Sequence, residues 1–124
     1  MIGQVLIYAG SAFVLFWGIA HLFPTRSVVA GFGDISADNK RIITMEWMIE
    51  GIALIFIGSL NAIVTAIDHA GSATLAIYLG SGVMLIVLAI VSFFTGFKIR
   101  FLPFRLCPVI FLTSAGLIII GGLL

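Results

Sequence analysis

Four apolar runs, at 2–23, 42–67, 73–97 and 108–124, take up most of this chain of 124 residues. A helix needs about 20 mainly apolar residues to cross a bilayer core of about 30 Å. Each run reaches or approaches that length. Charged residues make up only 9% of the chain, against roughly 25% in soluble domains. Residues 1–124 are therefore expected to form a single transmembrane domain, because nothing remains for a second. The fold expected is all-α, an integral membrane four-helix bundle. The fourth run is the shortest and has no polar tail. Either its terminal carboxylate lies at the interface, or its helix starts earlier, near Arg105.

The bases predict the orientation. Four spans place loops 24–41 and 98–107 on one side, and both termini with the short 68–72 turn on the other. Arg26, Lys40 and Arg41 flank the first loop, and Lys98, Arg100 and Arg105 lie in the last. No Lys or Arg is left for the opposite side. Basic loops stay cytoplasmic, so both termini are expected on the extracytoplasmic side. A net charge of +1 argues against nucleic acid as a partner. The basic loops can still meet anionic lipid headgroups. The N-terminus lacks the basic n-region and small-residue cleavage site of a signal peptide, so the first span is expected to stay. The single cysteine, Cys107, leaves no internal disulfide and no thiolate metal cluster. It is expected as a buried or interfacial thiol.

The first loop is the only substantial hydrophilic segment. Pro24 stops the first helix, and Asp38 is a reasonable N-cap for the second. Gly31-Phe32-Gly33-Asp34 reads as a turn. The last loop mixes bases with Phe101 and Phe104, as in a segment lying among headgroups. Ile7-Tyr8-Ala9-Gly10-Ser11 is echoed as Ile77-Tyr78-Leu79-Gly80-Ser81, which either a duplicated hairpin or chance in a restricted alphabet would produce. Small residues recur every seven positions: Gly3 and Gly10, Ser11 and Gly18, Gly51 and Gly58, then Gly82, Ala89 and Gly96. Such spacing lets membrane helices approach closely and fits left-handed packing.

The few polar residues fall on narrow stripes when placed at 100° per residue. Glu46, Glu50, Asn61 and Asp68 share one; Thr74, Tyr78, Ser81, Ser92 and Thr95 share another; His21, Gly18, Ser11 and Gln4 form a third. Lipid offers such groups no partners, so these faces should turn inward. By depth, His21, Glu46, Glu50, Ser92 and Thr95 belong to the cytoplasmic half. Between the two halves lie Val14, Ala53, Ile57, Leu85 and Leu88. That apolar middle argues for a cytoplasm-facing pocket rather than a continuous pore.

Carboxylates at membrane depth are costly, and so mark candidate sites. Twenty residues back from Ile67 is Met48, which puts Glu46 at the interface and Glu50 just inside it. Glu46 can be an ordinary solvated acid, and Glu50 can pair with Arg26, Lys98 or Arg100. If both are desolvated, their i, i+4 spacing makes them compete for one proton, which suits proton exchange or a cationic ligand. His21, at the same level, can relay a proton or simply bond a carbonyl or water. The Glu-x-x-His pairs of di-metal bundles are absent, so no metal is expected. Trp17 and Trp47 suit interface anchors but can also wall the pocket. Ser92 and Thr95 can bond their own helix carbonyls.

The segment Trp17-Gly18-Ile19-Ala20-His21-Leu22-Phe23-Pro24, with four compact spans, resembles the DoxX-like group of small four-helix membrane proteins. The resemblance covers the whole chain in topology and rests in residues on the Gly-x-x-His end of the first helix. It implies a fold more than a chemistry, and it names no cofactor. Three functions stay open. One is a cytoplasm-facing pocket, lined by Glu50, Glu46, His21, Trp17, Trp47, Ser92 and Thr95, that binds a proton, a cation or an amphipathic small molecule. Another is a structural or assembly subunit of a larger membrane complex. The third is a membrane-embedded enzyme using His/Glu acid-base chemistry. A homo-oligomer in a cell membrane, the bacterial inner membrane, is the expected setting.

Overall fold

The computed structural model describes all 124 residues, and it is helical throughout. Five helices follow in order: α1 (Ile2–Leu22), α2 (Thr25–Ala30), α3 (Ala37–Asp68), α4 (Ser72–Gly96) and α5 (Leu102–Leu123). All except α2 are long and apolar enough to cross a membrane.

Two helix starts differ from the first sequence expectation, each for a local reason. Helix α3 begins at Ala37 rather than at residue 42, because Ser36 caps it by accepting a hydrogen bond from the Asn39 amide at 3.1 Å. Asp38 is therefore not the cap. It lies in the first turn and pairs with Arg41 at 3.3 Å on the surface. At 1.5 Å per residue, α3 is about 48 Å long, so its polar first turns extend beyond any apolar layer. Helix α5 begins at Leu102, so of the two starts the sequence left open it follows the earlier one, near Arg105, with Pro103 in the first turn, where no amide donor is needed. Pro108 then lies inside the helix and omits one backbone bond. The first loop contains the short helix α2, which packs on α3. Gly33 closes that loop with a φ of 72°, a conformation glycine adopts without strain.

Helix α1 contacts α3 and α5 extensively, and α5 contacts α4, whereas α3 and α4 meet sparsely. The bundle is thus ordered α3–α1–α5–α4 with a looser join between its two ends. The seven-residue glycine spacing accounts for the tight contacts. A Cβ on Gly18 would lie 2.7 Å from the Gly51 carbonyl oxygen, and one on Gly58 would lie 2.6 Å from the Ser11 carbonyl oxygen. On the other side of α1, a Cβ on Gly3 would come within 2.6 Å of the Gly121 carbonyl oxygen. Small residues thus let the backbones meet where lipid gives no hydrophobic drive to associate.

The looser α3–α4 join is bridged by polar groups. Asn61 donates to Ser81 Oγ at 2.9 Å, and the Thr65 and Tyr78 hydroxyls bond at 2.7 Å. Below this layer, Val14, Leu54, Leu85 and Phe111 are fully buried. The middle is apolar as expected, with one exchange: Leu54 rather than Ala53 points inward, and Ala53 is exposed. The two echoed segments do not share a buried face. Ile7 is buried and Tyr8 exposed, whereas in the copy Tyr78 is buried, so the likeness of sequence is not one of position.

Gly18→Val and Gly58→Val should each destabilise the bundle by about 1–3 kcal/mol or more, because the new side chain meets backbone that cannot step aside. Gly80→Ala, where nothing lies within 4 Å, should leave stability unchanged. Unfolding of the purified protein in detergent, followed by circular dichroism, measures both.

Candidate functional site

Gly18 is one turn before His21, and Gly51 directly follows Glu50. Their contact therefore draws the ends of these two side chains together. His21 Nε2 lies 3.5 Å from Glu50 Oε2. The histidine side chain is only 6% exposed and the glutamate 45%. Nε2 makes no hydrogen bond, so the carboxylate is an electrostatic neighbour rather than a bonded partner.

Trp47, one turn before Glu50 on α3, holds the imidazole in place. Its ring stacks on His21 with centroids 3.8 Å apart and planes 16° from parallel. Its indole nitrogen donates to the His21 carbonyl at 2.7 Å. That bond satisfies one of the carbonyls left open at the end of α1. Phe104, in the first turns of α5, meets the Trp47 ring edge-on at 5.6 Å.

His21, Phe104 and Cys107 together divide two cavities. The first, of about 270 Å³, lies at the sparse α3–α4 join and is lined by Glu50, Ser92 and Thr95 as well as by apolar side chains. Ser92 and Thr95 donate to their own helix at Ala89 and Val91, at 3.1 and 2.7 Å. Their oxygens keep lone pairs able to accept. The second cavity, of about 120 Å³, is mostly aromatic, lined by Trp17, Trp47, Phe101 and Phe104. The indole nitrogen of Trp17 is buried without a partner. No three His, Cys, Asp or Glu side chains converge closely enough to hold a metal ion.

The sequence-derived residues thus separate. His21 belongs to both cavities, Glu50, Ser92 and Thr95 to the polar one, and Trp17 and Trp47 to the aromatic one. Glu46 is exposed and lines neither, and Asp68 at the far end of the same helix is also exposed. Cys107, Phe101, Phe104 and Pro103 complete the site without having been singled out for it. The signal available was their place: two aromatics and a thiol within one short stretch at the end of the bundle that also holds His21.

The fold and this cluster define a small multi-pass membrane protein with a polar and an aromatic cavity at the end of the bundle that carries all six Lys and Arg residues. No protein-family model matches the chain, and no curated protein or solved structure matches it.

Cys107 is buried and donates to the Pro103 carbonyl at 3.4 Å. A bulky maleimide should therefore label the folded protein slowly and the unfolded protein at the rate of a free thiol. Phe104→Ala, which opens the wall shared by both cavities, should speed labelling of the folded form. Mass spectrometry of the timed reaction reads the outcome.

Proposed function

We propose that this protein binds an amphipathic small molecule with a protonatable or cationic group in a cytoplasm-facing pocket built on His21 and Glu50. The observation that carries this reading is the buried, unbonded His21 Nε2, facing a half-exposed Glu50 and forming part of the wall between a polar and an aromatic cavity. A carboxylate at membrane depth needs a countercharge, a proton or a ligand, and His21 supplies a countercharge only when protonated, which leaves the space around it for a ligand. Trp17 and Trp47 act as walls of the pocket. Ser92 and Thr95 supply hydrogen-bond acceptors on its far side. Glu46 acts outside the pocket, as a surface acid near its mouth.

The positive-inside rule places this end of the bundle in the cytoplasm and both termini outside. The cell membrane, in bacteria the inner membrane, is the matching location, and self-association, through faces other than the small-residue ones that the bundle itself uses, fits the size of the chain. The Trp17–Pro24 segment keeps the protein near the DoxX-like group in this reading.

A second reading, a subunit of a larger membrane complex, is favoured by one observation. Glu50 remains 45% exposed at the sparse α3–α4 join, where a partner's basic side chain could reach it. Cross-linking in native membranes that returns only self-contacts would count against it.

The only two tryptophans of the chain both line the aromatic cavity, so intrinsic fluorescence reports on the site. Dodecylamine should quench it saturably, and Glu50→Gln should weaken that binding at least about tenfold, the loss expected when a charged partner is removed. An unchanged affinity would sink the pocket reading. Without ligand, fluorescence should fall on acidification as His21 gains its proton, because an imidazolium stacked on an indole quenches it. The groups facing His21 are Glu50 and Cys107. His21→Gln should abolish the response; its persistence would remove His21 from the mechanism.

A further inference from the structure

The aromatic cavity does not end at the bundle. At Trp17 and Ala20 it adjoins an open groove of about 460 Å³ along α1 and α5, lined only by apolar residues. Ala9 and Ala12 leave the groove its depth, Phe13 and Phe16 contribute to its walls, and Ile110 lines it from α5. The groove runs along the helices away from the loop end, in the direction of the bilayer interior. The two spaces thus lie side by side on Trp17 and Ala20, a compact chamber and a larger open groove.

The chamber's chemistry selects among cations. Four aromatic side chains line it, two from α1 and α3 and two from the start of α5. A small, strongly hydrated cation needs oxygen ligands to replace its water, and this lining offers none from a carboxylate. A quaternary ammonium is bulky and weakly hydrated, and it is attracted to the faces of indole and phenyl rings. Glu50, behind His21, adds negative charge at short range without entering the chamber. The wholly apolar groove suits an alkyl chain.

Building on the pocket reading above, we propose that the occupant is a single-chain amphiphile with a quaternary ammonium head, its head in the Trp17–Trp47–Phe101–Phe104 chamber and its chain in the α1–α5 groove. Both parts contribute to affinity.

The test uses the purified protein in maltoside micelles, with tryptophan fluorescence as readout. Three probes separate the contributions: dodecyltrimethylammonium, the similarly shaped but net-neutral dodecyldimethylamine oxide, and tail-less tetramethylammonium. Dodecyltrimethylammonium should bind about tenfold more tightly than the amine oxide, the range expected for cation–π attraction in a desolvated site. Tetramethylammonium should bind far more weakly than either. Phe104→Leu should remove the preference for the cation, and Ala12→Phe, which fills the groove, should weaken both long-chain probes alike. Circular dichroism melting identifies any variant that has lost the fold, and Phe101→Leu then replaces Phe104→Leu. Equal affinity for the two long-chain probes would overturn the quaternary-ammonium assignment while leaving an amphiphile pocket standing. Ala12→Phe without effect would overturn the tail channel. If no probe, dodecylamine included, gives a saturable response, both this inference and the pocket reading fall.

Discussion

The contact of Gly18 with Gly51 is the interaction on which the rest of this structure depends. Between these two residues the backbones of α1 and α3 approach so closely that a methyl group on Gly18 would lie 2.7 Å from a carbonyl oxygen and 2.8 Å from the Ile55 nitrogen. Hydrocarbon does not drive helices together as water does, so packing depends on such close approaches. The same contact decides the chemistry. His21 follows Gly18 by one turn and Glu50 precedes Gly51, so their approach leaves imidazole and carboxylate 3.5 Å apart. Packing and site are one arrangement seen at two points along the helix.

Helix α1 has two small-residue faces, and each has a separate task. Ser11 and Gly18 meet α3, whereas Gly3 and Gly10 meet α5. Fixing both neighbours to α1 leaves α4 to pack mainly on α5 and to meet α3 only loosely. The gap is bridged in one half of the bundle by Asn61, Thr65, Tyr78 and Ser81 and stays open as the polar cavity beside Glu50 in the other. The buried Val14, Leu54 and Leu85 separate the two polar layers. The polar groups therefore form a pocket at one end of the bundle and a structural bridge at the other, rather than a path between them.

Much of this was legible in the residues. The four spans follow from length and hydropathy, and the glycine faces from a spacing of seven, because both depend on local pattern. The level shared by His21, Glu50, Ser92 and Thr95 follows from counting along antiparallel helices. Three things were not legible. The start of α3 depended on Ser36 rather than Asp38 as cap, a choice made by one backbone conformation. The inward turn of Leu54 in place of Ala53 depended on a rotation of α3 that its glycine contacts set. The aromatic chamber depended on the turn before α5, which sets Phe104 against Trp47 and brings Phe101 and Cys107 into the same lining. A prolines-and-bases segment gives no periodic signal for that turn. Glu46, one turn from Glu50 and read from the sequence as the more interfacial of the two, is exposed and lines neither cavity.

Two glutamates four residues apart, only about 40° apart around α3, thus differ in surroundings mainly by one turn of depth. Glu50 borders His21 and open space, and that space is the centre of the account. The most direct measurement is an experimental density map of the protein extracted from its native membrane in a mild detergent. Expected is bound density in the chamber between Trp17, Trp47 and Phe104, continuing along the α1–α5 groove, with His21 and Glu50 apart from direct hydrogen bonding. Side chains collapsed into both cavities, with His21 and Glu50 bonded to each other and nothing else present, would contradict it.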